Sequence, residues 1–214
     1  MKAKPLRALA LFAPLALLAA CASAPTGYYT LLAPQAVPDR LPLSAPAYQF
    51  EMQQVRMPVQ VDQPQLVVRQ GQGSLAILEG DRWGAPLADE FHDALTQRLE
   101  QRLGTRDVAG LPRAPGVAVL SLRTDVRRFE TVLGQYALVD VVWSLGLSDP
   151  GTPQRRSLTC STLLRQDSSG GLNELVLAHQ QLIDRLAMTI AGTINHWVND
   201  HTSTCPAVAG AKSA

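Results

Sequence analysis

Few side chains in this sequence have the types and spacing that chemistry requires. His196, Asp200 and His201 are metal-ligand types near the end of a predicted helix, but a spacing of five residues does not place the two histidines on one helical face. His179 lies at the edge of the apolar stripe of the same helix, between Leu175 and Leu182, and no motif supplies a nucleophile for it. We therefore interpret the first group as a polar helix end that binds no metal, and His179 as a partly buried helix histidine.

The segment 71–76, Gly-Gln-Gly-Ser-Leu-Ala, formally fits a dinucleotide-binding pattern that ends in alanine. That pattern needs a helix to begin at the glycines, inside a β-α-β unit. Residues 74–79 are instead typical of a strand, which favours a hairpin turn. The sequence also contains no G-x-S-x-G, Walker, C-x-x-C or H-E-x-x-H motif. It offers no positive case for catalysis, and we expect neither an enzyme nor a cofactor.

The N-terminus has the layout of an export signal. Three basic residues precede an apolar run over residues 8–18, and small residues follow that run up to position 20. The run is shorter than the roughly 20 residues that a transmembrane helix needs, and Pro14 interrupts it. We therefore interpret residues 1–20 as a signal peptide that is removed, not as a permanent anchor.

Cys21 is the residue with the clearest predicted chemistry. Leu18, Ala19 and Ala20 precede it and complete the lipobox typical of bacterial lipoproteins, in which the cysteine thiol takes a diacylglycerol. Each buried CH₂ group of the acyl chains contributes about 0.8 kcal/mol, so several chains hold a protein stably at a membrane. Ala22 stands where an Asp would retain a lipoprotein in the inner membrane. The resemblance to sorted lipoproteins therefore implies the outer membrane, with the protein facing the periplasm.

Removal of residues 1–20 leaves 194 residues, which is enough for one domain with a substantial core. It also removes three positive charges, so the formal net charge falls from +1 to −2. A nucleic-acid partner would require a strongly basic face. The composition therefore argues against nucleic acid as a partner.

Two cysteines remain besides Cys21, and an oxidising compartment allows a disulfide between Cys160 and Cys205 to persist. Cys160 lies on the side of its strand that we expect to face the helices. The last predicted helix, about 42 Å long at 1.5 Å per residue, overshoots Cys160 by about 20 Å. Residues 200–205 can span that gap by folding back. The open alternative is a buried free thiol at 160 and a reactive thiol at 205.

Periodicity and turn residues divide the mature chain into elements. Helical spacing with Pro86 at its start and Gly104 as its stop predicts the first helix, and prolines recurring within residues 33–47 favour an extended linker. The predicted elements are a short strand at 28–32, the linker at 33–47, a strand within 48–61, a hairpin at 65–70 and 74–79, a helix at 86–103, three antiparallel strands at 117–129, 135–148 and 155–166, and a helix at 172–199.

These elements predict the α+β class, with a single domain in which two long helices pack on one face of an antiparallel sheet. We place the domain at residues 48–205. A lipid-anchored N-terminal segment at 21–47 precedes it, and a disordered tail at 206–214 follows.

Apolar residues also occur on the sheet face that the predicted helices leave open. Tyr136, Leu138 and Val142 share that face of the central strand, and an exposed patch of this kind usually marks an interface. The alternative is that the first strand or the proline-rich segment covers the face within one monomer. Trp83 is a further candidate partner contact, although a tryptophan at the entry to a helix is more often packed.

Four arginines lie at the ends of the predicted meander. Arg127 and Arg128 fall at one end, and Arg155 and Arg156 fall at the other. Because the two pairs are far apart, they do not predict a single anion site, and solvated strand ends are the simpler interpretation.

The order of these features resembles a known family. The lipobox is followed by Tyr28-Tyr29-Thr30-Leu31, by a hairpin that ends in Trp83-Gly84-Ala85-Pro86-Leu87 at a helix, and then by a meander and a last long helix. This order is similar to that of the ABC-type transport auxiliary lipoproteins, the PqiC or YmbA family, over roughly residues 21–199. The longer proline-rich stretch after the first strand departs from the family pattern.

The resemblance implies a non-catalytic part of a lipid-transport system. In such a system periplasmic MCE-domain proteins carry phospholipid between the membranes together with an inner-membrane permease. The lipoprotein docks the MCE protein at the outer membrane and acts as a homo-oligomer. One alternative from another class is an outer-membrane assembly or envelope-scaffold lipoprotein that binds a barrel protein or peptidoglycan, and an enzyme of unknown type is the third.

We expect Cys21→Ser to abolish acylation, because no other residue in the predicted signal can take the diacylglycerol. Metabolic labelling with a fatty acid should then leave the protein unlabelled, and fractionation should release it from the membrane pellet. Unchanged labelling and unchanged fractionation of the variant would contradict the signal interpretation.

Overall fold

The computed structural model describes residues 25–34, 46–152, 154–200 and 204–206. The predicted signal peptide, Cys21, most of the proline-rich linker and most of the C-terminal tail lie outside these residues. The elements are strands β1 (Gly27–Tyr29), β2 (Tyr48–Met52), β3 (Gln65–Arg69) and β4 (Leu75–Trp83), helix α1 (Leu87–Leu103), strands β5 (Ala118–Val132), β6 (Tyr136–Ser148) and β7 (Arg156–Asp167), and helix α2 (Leu172–Asn199).

The strands form two sheets. The larger has the order β2-β5-β6-β7 and the smaller has the order β1-β4-β3. The α+β class and the single domain expected from the sequence are confirmed. The single antiparallel sheet is corrected, because β2 pairs with β5 in parallel and β1 pairs with β4 in parallel. Each parallel pair joins segments far apart in sequence, and the apolar periodicity of a strand does not identify such a partner.

The meander of β5, β6 and β7 forms as the alternation predicts. Gly134, with φ of 69°, makes the turn between β5 and β6, a backbone conformation that glycine adopts without steric cost. The odd positions from Ala137 to Leu145 on β6 are all buried. Inside this face, the Trp143 indole N–H donates to Thr162 Oγ1 at 2.9 Å, so the buried indole keeps a hydrogen-bond partner.

The two helices pack against each other, and one of them covers the apolar face of the larger sheet. Helix α2 packs on β6 and β7, and α1 packs along α2. The stripe of α2 from Leu175 to Ile194 is completely buried at its leucine and isoleucine positions, and each such side chain contributes about 1.5–3 kcal/mol relative to an exposed one. Helix α1 ends at Gly104, which adopts the left-handed conformation with φ of 68° and donates its N–H to Glu100 O.

The glycine pair at 71 and 73 lies in the turn of the β3–β4 hairpin. The N–H of Gln70 donates to Ser74 O at 3.1 Å across this turn. The hairpin interpretation is therefore confirmed, and no helix begins at the glycines as dinucleotide binding would require.

A disulfide joins Cys160 and Cys205, 45 positions apart in the sequence. This is the pairing expected from the compartment and the helix length. Cys160 is buried under α2, and Cys205 Sγ lies 3.1 Å from the carbonyl oxygen of Thr159 on the last strand of the larger sheet. In the chain-entropy model a bridge across a loop of this length contributes about 4 kcal/mol to the free energy of unfolding.

His179 is completely buried, which corrects the expectation of a partly buried residue. Its ring stacks on Phe129, with centroids 4.0 Å apart, and its Nε2 shares a 2.9 Å hydrogen bond with Thr131 Oγ1. Nδ1 has no hydrogen-bond partner in the described part of the chain. Burial lowers the pKa of His179 from 6.5 to about 3, so the ring is neutral at physiological pH.

We expect stability to fall as the pH drops from about 6.5 towards 3, because over this range the unfolded chain protonates His179 and the folded chain does not. The slope from this residue approaches about 1.4 kcal/mol per pH unit. Denaturant titrations at several pH values should show a flatter dependence for His179→Gln than for the wild type. The exposed His196→Gln serves as the control and should keep the wild-type slope. Parallel slopes for all three proteins would contradict this assignment.

Candidate functional site: the anchor clamp and the outer sheet face

The predicted acylation site lies just ahead of the described residues, so the informative region is where the chain coming from Cys21 enters the fold. Five residues, 22–26, separate Cys21 from Gly27, the first residue of β1. The six steps along the chain from Cys21 to Gly27 reach at most about 20 Å, at about 3.3 Å each. Any attachment at Cys21 is therefore transmitted to the domain through β1.

Glu90 holds the segment that follows β1. It lies in the first turn of α1 and is only 5% exposed. Its Oε2 accepts the hydroxyl of Thr30 at 2.7 Å and the backbone N–H of Leu31 at 2.8 Å. Hydrogen bonds to an ionised acceptor are the stronger kind. Gly84 N–H donates to Tyr29 O at 2.8 Å, and a Cβ at Gly84 would stand 3.0 Å from Glu90 Oε1.

Gln180 holds the same segment from α2. Its side-chain amide donates to Thr30 O at 3.0 Å. The backbone carbonyl of Gln180 in turn accepts from Arg98 Nη2 at 3.2 Å, and Arg98 Nε lies 3.6 Å from Asp184 Oδ1. Burial lowers the pKa of Arg98, and the charge of Asp184 opposes that effect. The first strand is thereby linked to both helices.

We call Glu90, Gln180 and the segment Tyr29–Leu32 the anchor clamp. Leu31 fills the centre of the clamp and is completely buried. The hydrogen bonds of the anchor clamp hold an extended segment against two helices, and they do not form an arrangement typical of a catalytic site. The arrangement can therefore carry a mechanical load from the N-terminus into the core.

Neither Glu90 nor Gln180 was among the residues that the sequence singled out. A signal for Glu90 was present, because it falls between Leu87 and Ala94 on the helix face that is buried together with Phe91. A carboxylate on an apolar stripe needs a partner, and the hydroxyl of Thr30 supplies one.

The outer face is the side of the larger sheet opposite the helices, and it carries the predicted partner residues Tyr136, Leu138 and Val142. The Arg165 guanidinium lies over the Tyr136 ring, 3.9 Å from its centroid, and the Tyr136 hydroxyl donates to Glu130 at 3.3 Å. Leu138 is 8% exposed and Val142 is half-buried. These contacts leave this part of the face partly apolar and crossed by side chains of both charges.

The alternative that the first strand covers the outer face is wrong. β1 belongs to the smaller sheet, and the anchor clamp holds the segment after it against the helices. The remaining candidate cover, the proline-rich segment, falls mainly in residues 35–45, outside the described residues.

Trp83 does not lie on a surface. It is 4% exposed and meets Phe129 edge to face, with ring centroids 6.2 Å apart. The partner contact predicted at Trp83 is therefore corrected to a packed core residue, which is the alternative that its place at a helix entry favours.

The arginine pairs at the two strand ends do not come together, as expected, but three of these arginines have partners rather than being simply solvated. Arg127 pairs with Asp125 at 3.3 Å and Arg128 with Asp140 at 3.5 Å. At the other end of the meander, Arg156 lies over the ring of Trp197, 4.7 Å from its centroid.

Among the described residues, no group of three or more His, Cys, Asp or Glu side chains is arranged to hold a metal ion. His196 is exposed on α2 and His201 falls outside the described positions. No helix within the described ranges is long and apolar enough to cross a membrane.

The fold and the clamp define a two-layer α+β domain whose N-terminal strand is fastened to both helices. The sequence matches the family model described as ABC-type transport auxiliary lipoprotein component over residues 29–191. The chain belongs to this family, and the resemblance inferred from its motifs is confirmed. The match begins at Tyr29 in β1 and ends within α2, so it includes the whole clamp.

Solved structures share the fold. A crystal structure of an uncharacterized protein superposes with a TM-score of 0.57 at 19% identity, covering 80% of this chain and 99% of the other. A crystal structure of a protein from Xanthomonas campestris gives a TM-score of 0.53 at 18% identity, covering 84% and 97%. At these identities the similarity shows the fold alone. The comparison with curated proteins found no match.

We expect Glu90→Ala to loosen the anchor clamp, because it leaves the Thr30 hydroxyl and the buried Leu31 N–H without their acceptor. The free energy of unfolding should fall by about 2–3 kcal/mol. Chymotrypsin should also cut faster at Tyr29 in the folded protein, which N-terminal sequencing of the fragments can establish.

Asp89→Ala is the matched control for this experiment. Asp89 precedes Glu90 in the same turn of α1 but is exposed. Its loss should cost less than about 1 kcal/mol through the helix dipole and should leave cleavage at Tyr29 unchanged. Equal cleavage rates in the Glu90 and Asp89 variants would show that Glu90 does not hold the strand.

Proposed function

We propose that this chain is a lipid-anchored outer-membrane lipoprotein that faces the periplasm and acts as a non-catalytic auxiliary component of an ABC-type intermembrane lipid transport system. In this role it docks the periplasmic MCE-domain protein that works with the inner-membrane permease. Membership of the auxiliary lipoprotein family supports the transport role. The lipobox at Leu18–Cys21 supports the anchoring.

The anchor clamp is the observation that carries the proposal. Its buried contacts fasten the segment after β1 to both helices, and only five residues separate β1 from Cys21. A domain held within about 20 Å of its acylated residue stays at the membrane surface. That placement suits a component that receives partners at the membrane more than one that shuttles across the periplasm.

Self-association is the second part of the proposal, and the outer face supplies a surface for it. Tyr136, Leu138, Val142 and the 39% exposed Leu163 form what we call the apolar strip. Side chains of both charges cross the strip, including the Arg128–Asp140 pair and Arg165. A surface of mixed charge can be complementary to a second copy of itself, as a two-fold contact requires. We therefore assign the strip to contacts between copies of this chain.

Chemical cross-linking in native membranes, followed by purification of the tagged chain, tests both parts. We expect the wild type to recover an MCE-domain protein and a permease, together with cross-linked multimers of itself. Recovery of a barrel assembly protein or peptidoglycan, with no MCE-domain protein, would replace the transport role with a scaffold role.

The variant Val142→Glu/Leu163→Glu places two carboxylates in the apolar strip and should reduce the multimers. Leu138 is left unchanged because its burial would confuse an interface effect with unfolding. Met188→Glu is the control, since Met188 is an exposed apolar residue on α2. Multimers that survive the double substitution with an unchanged melting temperature would remove the strip from the interface.

A further inference from the structure

A depression opens on the outer face at the opposite end from the apolar strip. Four small residues of β5, β6 and β7, namely Ser121, Ser144, Gly146 and Ser157, form what we call the serine floor, and the cavity above it has a volume of about 460 Å³. Gly146 pairs with Ser121 on one side and Ser157 on the other. Directly paired residues project from the same face of a sheet, so the floor is continuous across three strands.

The composition of the floor is unfavourable for a strand unless another group occupies the space. Glycine and serine pack poorly on a pleated surface, and glycine inside a strand often marks a place where a ligand or another backbone approaches closely. A Cβ on Gly146 would stand 2.8 Å from Ser121 Oγ, which itself donates to Gly146 O at 3.3 Å. The floor is therefore low because its residues are small.

Arginines surround the floor. Among the residues that line the depression are Arg113, Arg123, Arg155 and Arg156, whereas Glu51 is the single acid. Glu51 is already occupied, because it accepts Arg113 Nε at 2.5 Å and Nη2 at 2.8 Å. Arg156 is also engaged, donating to Trp197 O at 2.6 Å.

Arg123 and Arg155 differ from the other two arginines. Both are exposed, and neither has an ion-pair or hydrogen-bond partner among the described residues. Arg123 lies opposite Ser144 on the neighbouring strand, and Thr159 lies opposite Ser144 on the next strand. The depression thus combines uncompensated positive charge with hydroxyl donors at one end of the sheet.

We propose that the serine floor and its arginines form a binding site for a phosphate group, with Arg123 and Arg155 as the charge partners and the floor hydroxyls as neutral donors. A guanidinium matches phosphate oxygens with two parallel hydrogen bonds. The cavity falls within the range of about 300–1,000 Å³ that small-molecule sites occupy. The phosphate belongs either to a glycerophosphoryl lipid headgroup or to a free small molecule, since both present the same chemistry to the site.

The arginines at the strand ends do not by themselves form this site. Arg155 lies at an end of the meander, but its companions at the site are Arg123 from β5 and Arg113 from the loop after α1. The folded sheet brings them together from three parts of the chain. The free-phosphate form of the site is independent of the proposed transport function, and only the headgroup form relies on the proposed anchoring.

Isothermal titration of the purified full chain with glycerol 3-phosphate and with inorganic phosphate tests the site at low salt. We expect saturable binding that weakens as salt rises. Arg123→Gln/Arg155→Gln should raise the Kd by at least about tenfold. Arg127→Gln removes an exposed arginine of β5 that pairs with Asp125 and is the matched control, with an expected change below about twofold.

The variant Ser157→Phe tests whether binding depends on the space above the serine floor, independently of the charge of the arginines. It alters no charge, and it places an aromatic ring beside Gly146, a pairing that stabilises sheets. Binding should be lost while the melting temperature is maintained. If this variant fails to fold, the double arginine variant decides the question alone. Wild-type affinity in Ser157→Phe or in the double variant would overturn the site, as would equal weakening by Arg127→Gln, which indicates diffuse charge.

Vesicles identify the source of the phosphate. The Cys21→Ser chain, which carries no acyl group, is mixed with vesicles of phosphatidylglycerol or phosphatidylcholine and sedimented. Binding to phosphatidylglycerol that needs Arg123 and Arg155 supports a lipid headgroup, whereas saturable binding of inorganic phosphate without vesicle binding supports a free ligand. Polyglutamate, an anionic polymer without phosphate, is the control probe. The proposal would be overturned if no phosphate probe bound saturably, or if only polyglutamate bound.

Discussion

The attachment of β1 to the helices through the buried carboxylate of Glu90 is the contact on which the rest of the architecture depends. Glu90 accepts the backbone N–H of Leu31, which lies in a segment that has no sheet partner beyond Tyr29. This contact holds the Leu31 side chain in the core. Gln180 holds the same segment from α2, and Arg98 and Asp184 join the two helices beside it. An unpaired carboxylate at this depth would be costly, so the strand and Glu90 require each other.

The larger sheet separates two physical tasks between its faces. The helix-facing side is a continuous apolar layer that includes Trp143 and Phe129, and the His179 ring of α2 stacks on Phe129. The outer face has no such layer among the described residues. One end carries apolar residues crossed by ion pairs, and the other carries small hydroxyl residues surrounded by arginines. Strands β5, β6 and β7 run through both ends, whereas β2 pairs with β5 only at the arginine end. The difference between the ends therefore arises from the size and charge of alternate residues along the shared strands, together with β2.

Local signals in the sequence predicted most of the elements. The alternation along β6 identified its buried face, start and stop signals together with the helical period identified α1, and the apolar stripe of α2 predicted a helix at about residues 172–199. The parallel pairings of β1 with β4 and of β2 with β5 were not predictable in this way, since a period of two identifies a face but not a neighbour. The candidate sites had the same limitation. The place of Glu90 on an apolar stripe signals a buried carboxylate, but its partners Thr30 and Leu31, like the serine floor, become recognisable only when residues from distant segments are brought together.

The disulfide between Cys160 and Cys205 affects when the open edge of β7 is covered. β7 is the last strand of the larger sheet, and an open strand edge is a template for pairing with other chains. Residues 204–206 lie beside this strand because Cys205 is tied to Cys160. In a reducing environment the disulfide does not form, and residues 204–206 are not held beside β7. In an oxidising environment the disulfide forms and holds them there. The covering of this edge by residues 204–206 therefore depends on oxidation of the two thiols as well as on folding.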